Sequence, residues 1–200
     1  MTGAVGLSLP LWPTVFYIPL ALCFYYFLLA GSRTFDIRPE DDLSSGIAQF
    51  LFYVSGMLGT IFLGYRQGVR PLNAVAGAAL MVLALALYEW ARHTIFRRRF
   101  RIAWSGDVPD EVCEDGPYRY VRHPIYASYM LAFAALLAAI PSPWSLAIFA
   151  VNVGLFVHAA FDDERSLARS ELAVDYADYR RGTGMFLPRR SRPKLGDRGG

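Results

Sequence analysis

Five long uncharged segments divide the 200-residue sequence and restrict the folds it can adopt. An α-helix rises about 1.5 Å per residue, so about 20 apolar residues are needed to cross the hydrocarbon core of a bilayer. The segments approach or exceed this length, except that the fourth is short. The sequence therefore predicts an all-α, polytopic membrane helix bundle with about five transmembrane helices. The five segments are 7–30, 43–65, 71–88, 125–140 and 144–161.

The overall composition agrees with a membrane protein, because 54% of the residues are apolar and only 18% are charged. The first segment lacks the basic residues that precede a signal-peptide core, and it is longer than the roughly 7–15 residues of such a core. We therefore interpret it as a retained span. Residues 1–190 are predicted to form one membrane domain, followed by a disordered polar tail at 191–200.

The third segment, 71–88, contains six alanines as well as Gly77. Small residues let membrane helices approach one another closely. We therefore expect this helix to be central in the bundle.

The distribution of basic residues predicts the orientation of the chain. Of 20 lysines and arginines, 16 lie in residues 92–124 and 162–200. Basic residues concentrate on the cytoplasmic side of membrane proteins. Counting back through five spans predicts a cytoplasmic carboxyl terminus and an outside amino terminus, in a bacterial inner membrane or an endomembrane. The basic runs adjoin the spans and contain no recognition module, so we expect contacts with membrane lipids and none with nucleic acid.

The cysteines and histidines argue against a disulfide framework and a metal site. Cys23 lies inside a predicted span and Cys113 in a polar loop, so each is predicted to be a free thiol. The three histidines have no metal-ligand spacing, and the sequence has no Cys-x-x-Cys.

Polar residues flank the last two uncharged segments and define a candidate site. The run Gly116–Tyr126 precedes the fourth segment, and the acidic cluster Asp162–Glu164 follows the fifth. Only Pro141-Ser142-Pro143 breaks the apolar sequence between them, so the two spans are predicted to form a hairpin whose polar ends lie on one side of the bilayer. The residues expected to lie near one another there are His123, Tyr126, Asp163 and Glu164.

His123-Pro124 predicts a helix start. Proline fits the first helical position, where its missing N–H would have had no partner. His123 would then cap the helix, whose free N–H groups attract carboxylates and phosphates, and Arg122 adds a positive charge. A lone histidine at a membrane boundary more often lies at the interface without binding a ligand. Arg122 and four nearby tyrosines favour a binding site instead; these are Tyr118, Tyr120, Tyr126 and Tyr129.

The acidic cluster allows two interpretations. Carboxylates at the carboxyl end of an apolar helix oppose the helix dipole, unless the helix continues into water. In one interpretation the cluster is a solvated extension, supported by Arg165 and Arg169 on the following turns. In the other, one carboxylate faces a pocket and binds hydrogen-bond donors or a cation. The sequence leaves both open.

These residues resemble a known family. The run from Gly116 to Tyr126, followed by Asp163-Glu164-Arg165-Ser166-Leu167, resembles the paired motifs of the isoprenylcysteine carboxyl methyltransferase and phospholipid methyltransferase superfamily. The run 172–179 and then Pro188-Arg189 follow in the family's order. The resemblance covers about residues 75–190.

Two departures from the family pattern stand out. Asp163 occupies the place of a glutamate, and Leu172-Ala173 occupies the place of Phe-Gly. The second acid, Glu164, is retained. The resemblance implies that His123, Tyr126 and Glu164 help to bind S-adenosylmethionine between the last two spans and the cytoplasmic loops.

The residue chemistry suits this cofactor. Arg122, His123 and the helix start at Pro124 suit its carboxylate, Glu164 suits its ribose hydroxyls or amino group, and tyrosines suit adenine and the sulfonium. No Gly-x-Gly-x-x-Gly is present, which excludes a soluble Rossmann nucleotide site. The candidate cofactor-binding residues are Tyr118, Arg122, His123, Pro124, Tyr126, Asp163, Glu164 and Tyr176, and the candidate catalytic residues are Glu164 and Arg180.

The acceptor is expected to be a lipid-like molecule that partitions into the membrane. A carboxylate acceptor needs no base, whereas an amine must first lose a proton. No obvious base is present beyond Glu164 and the tyrosines, which favours a carboxylate or another nucleophile that needs no deprotonation. Arg180 and Arg181 are candidates to orient such an anion, with contact to lipid phosphates as the alternative.

Two other functions stay open. Sterol and steroid reductases of similar helical build also carry Arg-His-Pro-x-Tyr and use NADPH, but Ile125 stands where they usually have asparagine. The other alternative is a non-catalytic membrane protein with a vestigial pocket. Binding of S-adenosylmethionine or of NADPH would separate these alternatives.

Overall fold

The computed structural model describes residues 64–98 and 111–189, together with single positions between residues 18 and 62. The described part is helical and has no strand beyond one isolated bridge between Val121 and Gly184. Most of the first two predicted spans and the tail at 191–200 lie outside the described residues. The helices are α1 (Pro71–Arg98), a 3-10 helix (Gly116–Arg119), α2 (Pro124–Ala139), α3 (Pro143–Leu167) and α4 (Ala173–Gly182).

Two of these helices are long and apolar enough to cross a membrane, by length and composition. They are the stretch Pro71–Ile95 of α1 and the whole of α3. Both continue past the ends of the uncharged segments predicted as spans. The third apolar helix, α2, has 16 residues and is shorter. The all-α prediction is confirmed for the described residues, while the count of five spans and the orientation stay predictions.

The most extensive contact between the described helices joins α1 to α2. Buried positions on α1 alternate at spacings of three and four residues, as in a coiled coil. Small side chains let the two backbones approach closely. Those positions on α1 are 74, 77, 81, 84, 88, 91 and 95, and the buried alanines of α2 are Ala127, Ala132, Ala135 and Ala139.

The most enclosed helix is α2, in which no residue is exposed. By contrast, α1 exposes Leu72 and Val82, and α3 exposes Trp144 and Leu155. The expectation that the alanine-rich third segment is central stays a prediction, because most of the first two predicted spans lie outside the described residues. Among the described helices, α2 packs against both α1 and α3. Exposed apolar faces on α1 and α3 suit contact with lipid chains.

The turn between α2 and α3 folds the two helices into the predicted hairpin. Ser142 caps α3, because its hydroxyl oxygen accepts a hydrogen bond of 3.1 Å from the backbone N–H of Ser145. Pro143 then occupies the first helical position, where no N–H partner is needed. The hairpin returns the carboxyl end of α3 to the level at which α2 begins.

The 3-10 helix lies against the end of α1 through Gly116. This residue has a φ of 54°, which glycine adopts readily. A Cβ at this position would lie 2.3 Å from Oγ1 of Thr94 on α1, which is a severe clash. Gly116 is therefore required both for its backbone conformation and for the close approach, and it anchors the chain that leads to His123.

Candidate functional site

The site is built around the start of α2. His123 is the N-cap residue and Pro124 the first helical residue, so the predicted helix start is confirmed. The backbone N–H groups of Arg122 and His123 donate to the carbonyl oxygens of Gly184 and Met185, at 2.8 and 3.1 Å. We call residues 183–186 the C-terminal strap. It fixes the backbone on which Arg122 and His123 stand.

Arg122 and Glu164 form the buried centre of the site. Nε and Nη2 of Arg122 donate to Oε1 of Glu164 at 2.9 and 2.8 Å, although the two residues are 42 positions apart. Nη1 of Arg122 donates to the carbonyl oxygen of Thr183 and, at 3.4 Å, to that of Arg180. A buried carboxylate needs such compensation, because desolvating an unpaired charge costs several kcal/mol. Arg122 thus ties α3, the strap and α4 together.

The rings of His123 and Tyr126 lie beside this centre. They stack at 5.5 Å with an interplanar angle of 7°. Nε2 of His123 lies 3.4 Å from Oε1 of Glu164 but makes no hydrogen bond. The hydroxyl of Tyr126 donates to Oδ2 of Asp163 at 2.9 Å. Phe186 of the strap contacts the histidine ring from another side at 5.9 Å.

Helix α4 contributes two buried tyrosines and one arginine. The hydroxyl of Tyr179 donates to the carbonyl oxygen of Tyr118 at 2.6 Å. Burial, followed by the negative charge of Glu164, raises the pKa of Tyr176, so its phenol stays protonated at neutral pH and can donate a hydrogen bond. Nε of Arg180 lies 3.5 Å from Oε2 of Glu164. Tyr176 and Arg180 therefore border the acidic centre.

Four buried polar atoms around this centre have no hydrogen-bond partner among the described residues. Buried polar groups are nearly always paired, and leaving one unpaired costs about 1–3 kcal/mol. Together they can both donate and accept hydrogen bonds, which indicates a polar ligand. The four atoms are Nε2 of His123, Oε2 of Glu164, the hydroxyl oxygen of Tyr176 and Oγ1 of Thr183.

The three residues of the acidic cluster have different surroundings. Asp162 is half-exposed and pairs with Arg165 and His158, both at 2.9 Å, as in a solvated extension. Asp163 and Glu164 point inward to Tyr126 and Arg122. Both interpretations left open by the sequence therefore apply, each to different residues.

Not every predicted residue contributes its side chain to the centre. Tyr118 packs its ring against the apolar core and offers its carbonyl to Tyr179. Tyr120 is 51% exposed and contacts Trp90, away from Glu164. Arg181 pairs with Asp178 at 3.2 Å. The residues that the structure brings together are Arg122, His123, Pro124, Tyr126, Asp163, Glu164, Tyr176 and Arg180, and their roles stay predictions.

Sequence reasoning missed the C-terminal strap. It leaves no side-chain pattern in the sequence, although the structure requires glycine at 184, where a Cβ would lie 1.8 Å from the carbonyl oxygen of Leu187. Thr183, buried and only 1% exposed, was missed for lack of any pattern. Phe186 was missed likewise.

An open cleft of about 280 Å³ adjoins the centre. Tyr176 and Arg180 belong both to this cleft and to the surroundings of Glu164, so the cleft borders the buried site. The cleft is basic on one side and lined by small apolar residues on the other. Its lining residues are Ala168, Ala173, Tyr176, Ala177, Arg180, Arg181 and Arg189.

Comparison with protein families gives a match to a known family. Residues 72–169 match the family model described as phospholipid methyltransferase. The match covers α1 to α3, including Arg122, His123 and Glu164, and ends before α4 and the C-terminal strap. No curated protein matches the chain.

Proposed function

Because the chain belongs to the phospholipid methyltransferase family over residues 72–169, in the superfamily of membrane methyltransferases, we propose that it is an integral membrane S-adenosylmethionine-dependent methyltransferase. The observation that supports this most directly is the set of buried, unpartnered polar atoms around Glu164. The family match supplies the reaction class, and those atoms supply a place for a polar ligand.

The available groups fit the parts of this cofactor. Oε2 of Glu164 would accept hydrogen bonds from the ribose hydroxyls or the amino group, and the hydroxyl of Tyr176 would donate one. The stacked rings of His123 and Tyr126 offer aromatic surface to adenine or to the sulfonium. Asp163 would hold the Tyr126 ring in place through its hydrogen bond. Arg122 has most of its N–H groups engaged by protein oxygens, so its proposed part is to orient Glu164.

When bound, S-adenosylmethionine supplies an electrophilic methyl group. The protein must then chiefly align the acceptor with it, and alignment can contribute up to roughly 7–11 kcal/mol. Arg180 lines the cleft and lies 3.5 Å from Glu164, so it is our candidate to orient an anionic acceptor such as a carboxylate. For an amine acceptor, Glu164 is the candidate to accept the proton.

We propose that the acceptor partitions into the membrane. Its tail would lie along the exposed apolar faces of α1 or α3, and its polar head would reach the ends of the hairpin. Each buried CH₂ is worth about 0.8 kcal/mol, so acceptors of increasing chain length should show falling KM at a constant head group. Equally efficient methylation of a short, water-soluble acceptor would overturn this proposal.

The proposed orientation has the carboxyl terminus in the cytoplasm and the amino terminus outside. Reporter domains fused after residues 68 and 190 should therefore lie on opposite sides of the membrane. The same side for both fusions would contradict the five-span topology.

The decisive experiment is calorimetric titration of the detergent-purified protein with S-adenosylmethionine and with NADPH. We expect binding of the first only, and about ten- to hundredfold weaker affinity in His123→Ala, since that is the usual cost of losing a polar contact to a charged group. His93→Ala is the matched control, because His93 is 64% exposed and lies beside Glu89 rather than Glu164. NADPH binding would favour the reductase, and binding of neither would favour a non-catalytic protein.

A further inference from the structure

The C-terminal strap contains one buried hydroxyl, that of Thr183. Neither the family match nor the sequence motifs include this residue. Thr183 is 1% exposed, and its Oγ1 has no hydrogen-bond partner among the described residues. The residue lies directly after α4, in extended conformation. It is therefore as enclosed as any apolar residue of the bundle and yet carries an unpaired polar group.

Thr183 is held in position from both sides. Its carbonyl oxygen accepts a hydrogen bond from Nη1 of Arg122, the residue that also donates twice to Glu164. Its neighbour Gly184 accepts a hydrogen bond of 2.8 Å from the backbone N–H of Arg122. A β-branched side chain on such a fixed backbone has few rotamers. The backbone that carries the hydroxyl is thus held by the same residue that holds Glu164.

A threonine in this place differs from valine only by its hydroxyl, since the two side chains have nearly the same shape. In a site made only for packing, valine would avoid the cost of an unpaired buried hydroxyl. Three further buried atoms without a hydrogen bond among the described residues belong to His123, Glu164 and Tyr176, which lie around the same centre. Thr183 therefore shares with them the property that indicates a ligand.

We propose that Thr183 is a ligand-binding residue of the methyl-donor site, where its hydroxyl donates a hydrogen bond to an oxygen of the bound donor. The strap is then part of the binding surface, and Arg122 is the positioning residue that couples it to Glu164. This inference rests on the proposed function. The oxygen belongs either to the amino-acid carboxylate or to a ribose hydroxyl, because both can accept a hydrogen bond.

The test compares the wild type with Thr183→Val and Thr183→Ser in the full-length, detergent-purified protein. Affinity for S-adenosylhomocysteine should fall about tenfold in the valine variant and recover in the serine variant. The Tm of the ligand-free valine variant should stay equal or rise, because an unpaired hydroxyl has been removed. Ser145→Ala is the matched control, since this buried hydroxyl pairs with that of Ser142 in the turn between α2 and α3, at the other end of the hairpin.

A purely structural role would give another pattern, in which Tm falls and affinity does not change, and this would overturn the inference. Thr183→Ala provides a second measurement if the valine variant does not fold.

Methylthioadenosine, which lacks the amino-acid part, shows which oxygen accepts the hydrogen bond. Weakened binding of both ligands assigns the contact to the ribose, and weakened binding of S-adenosylhomocysteine alone assigns it to the carboxylate. If the wild type binds neither ligand, the proposed function itself fails. If the wild type binds and Thr183→Val binds equally well, only the role of Thr183 fails.

Discussion

Two clusters in this protein contain the same three residue types at nearly the same distances. The first, the Glu164 cluster, consists of Arg122, His123 and Glu164, with an Arg–Glu distance of 2.8 Å and a His–Glu distance of 3.4 Å. The second, the Glu89 cluster, consists of Glu89, Arg92 and His93, and its corresponding distances are 2.8 and 3.6 Å. Residue types and distances therefore do not distinguish them.

The clusters differ in burial and in how the chain assembles them. The three side chains of the Glu164 cluster are 4–10% exposed, whereas those of the Glu89 cluster are 28–64% exposed. The Glu89 cluster is local, because its members are three and four residues apart on α1, and Tyr26 also donates to Glu89. The Glu164 cluster joins residues 42 positions apart and retains unpartnered atoms. The Glu164 cluster, our proposed ligand site, therefore differs from the Glu89 cluster in its burial and in its unused hydrogen-bonding capacity.

The largest expected effect separates the two glutamates. Glu164→Gln leaves Arg122 buried without its counter-charge, so we expect a loss of about 3–5 kcal/mol in the free energy of unfolding. The affinity for S-adenosylmethionine should also fall about ten- to hundredfold. Glu89→Gln, at a partly exposed ion pair, should cost no more than about 1 kcal/mol and leave the affinity unchanged.

Denaturant titration in detergent micelles and calorimetry measure the two quantities. The proposed difference between the two clusters would be contradicted if Glu89→Gln weakened cofactor affinity as strongly as Glu164→Gln. Equal losses of stability without any change in affinity would instead indicate that both clusters are structural.

An effect of intermediate size on stability is expected for a substitution at Gly116. Gly116, at the start of the 3-10 helix, lies against Thr94 and Trp90 of α1, the helix that also carries Glu89. Gly116→Ala would combine a disfavoured positive φ with a clash at 2.3 Å, so we expect a loss of about 1–3 kcal/mol. The site should weaken with it, because this segment leads directly to Arg122.

Gly154 offers the matched control for this change. It lies within α3, and a Cβ there would meet nothing within 4 Å. Gly154→Ala should therefore be neutral, or stabilising by up to about 1 kcal/mol, because alanine favours a helix more than glycine does. Equal effects of the two substitutions on thermal unfolding would show that the 3-10 helix is not held as tightly as its geometry indicates.

The sequence was sufficient to predict the parts of the site that depend on local signals. Pro124 predicted the start of α2, and the apolar segments between two polar ends predicted the hairpin. Which carboxylate faces inward could not be predicted, since residues 162–164 are successive and the rotation of α3 depends on its packing against α2. The strap was not predictable either, because it pairs with Arg122 and His123 through backbone hydrogen bonds that leave no side-chain pattern.

The smallest expected effect concerns the arginine of the Glu89 cluster. Arg92 is 28% exposed and pairs with Glu89 across one helical turn, a geometry worth about 0.2–0.5 kcal/mol in helices. Arg92→Gln should therefore lower the free energy of unfolding by about that amount, and most of the difference should vanish in 1 M salt, where the screening length is about 3 Å. Arg122→Gln, the buried counterpart, should lose far more, and its loss should depend little on salt because buried pairs are screened weakly. Unfolding curves of both variants, recorded at low and at high salt, measure these losses in the free energy of unfolding. A salt-insensitive loss of several kcal/mol in Arg92→Gln would mean that the Glu89 cluster is held in a low-dielectric environment, and that exposure alone does not separate the two clusters.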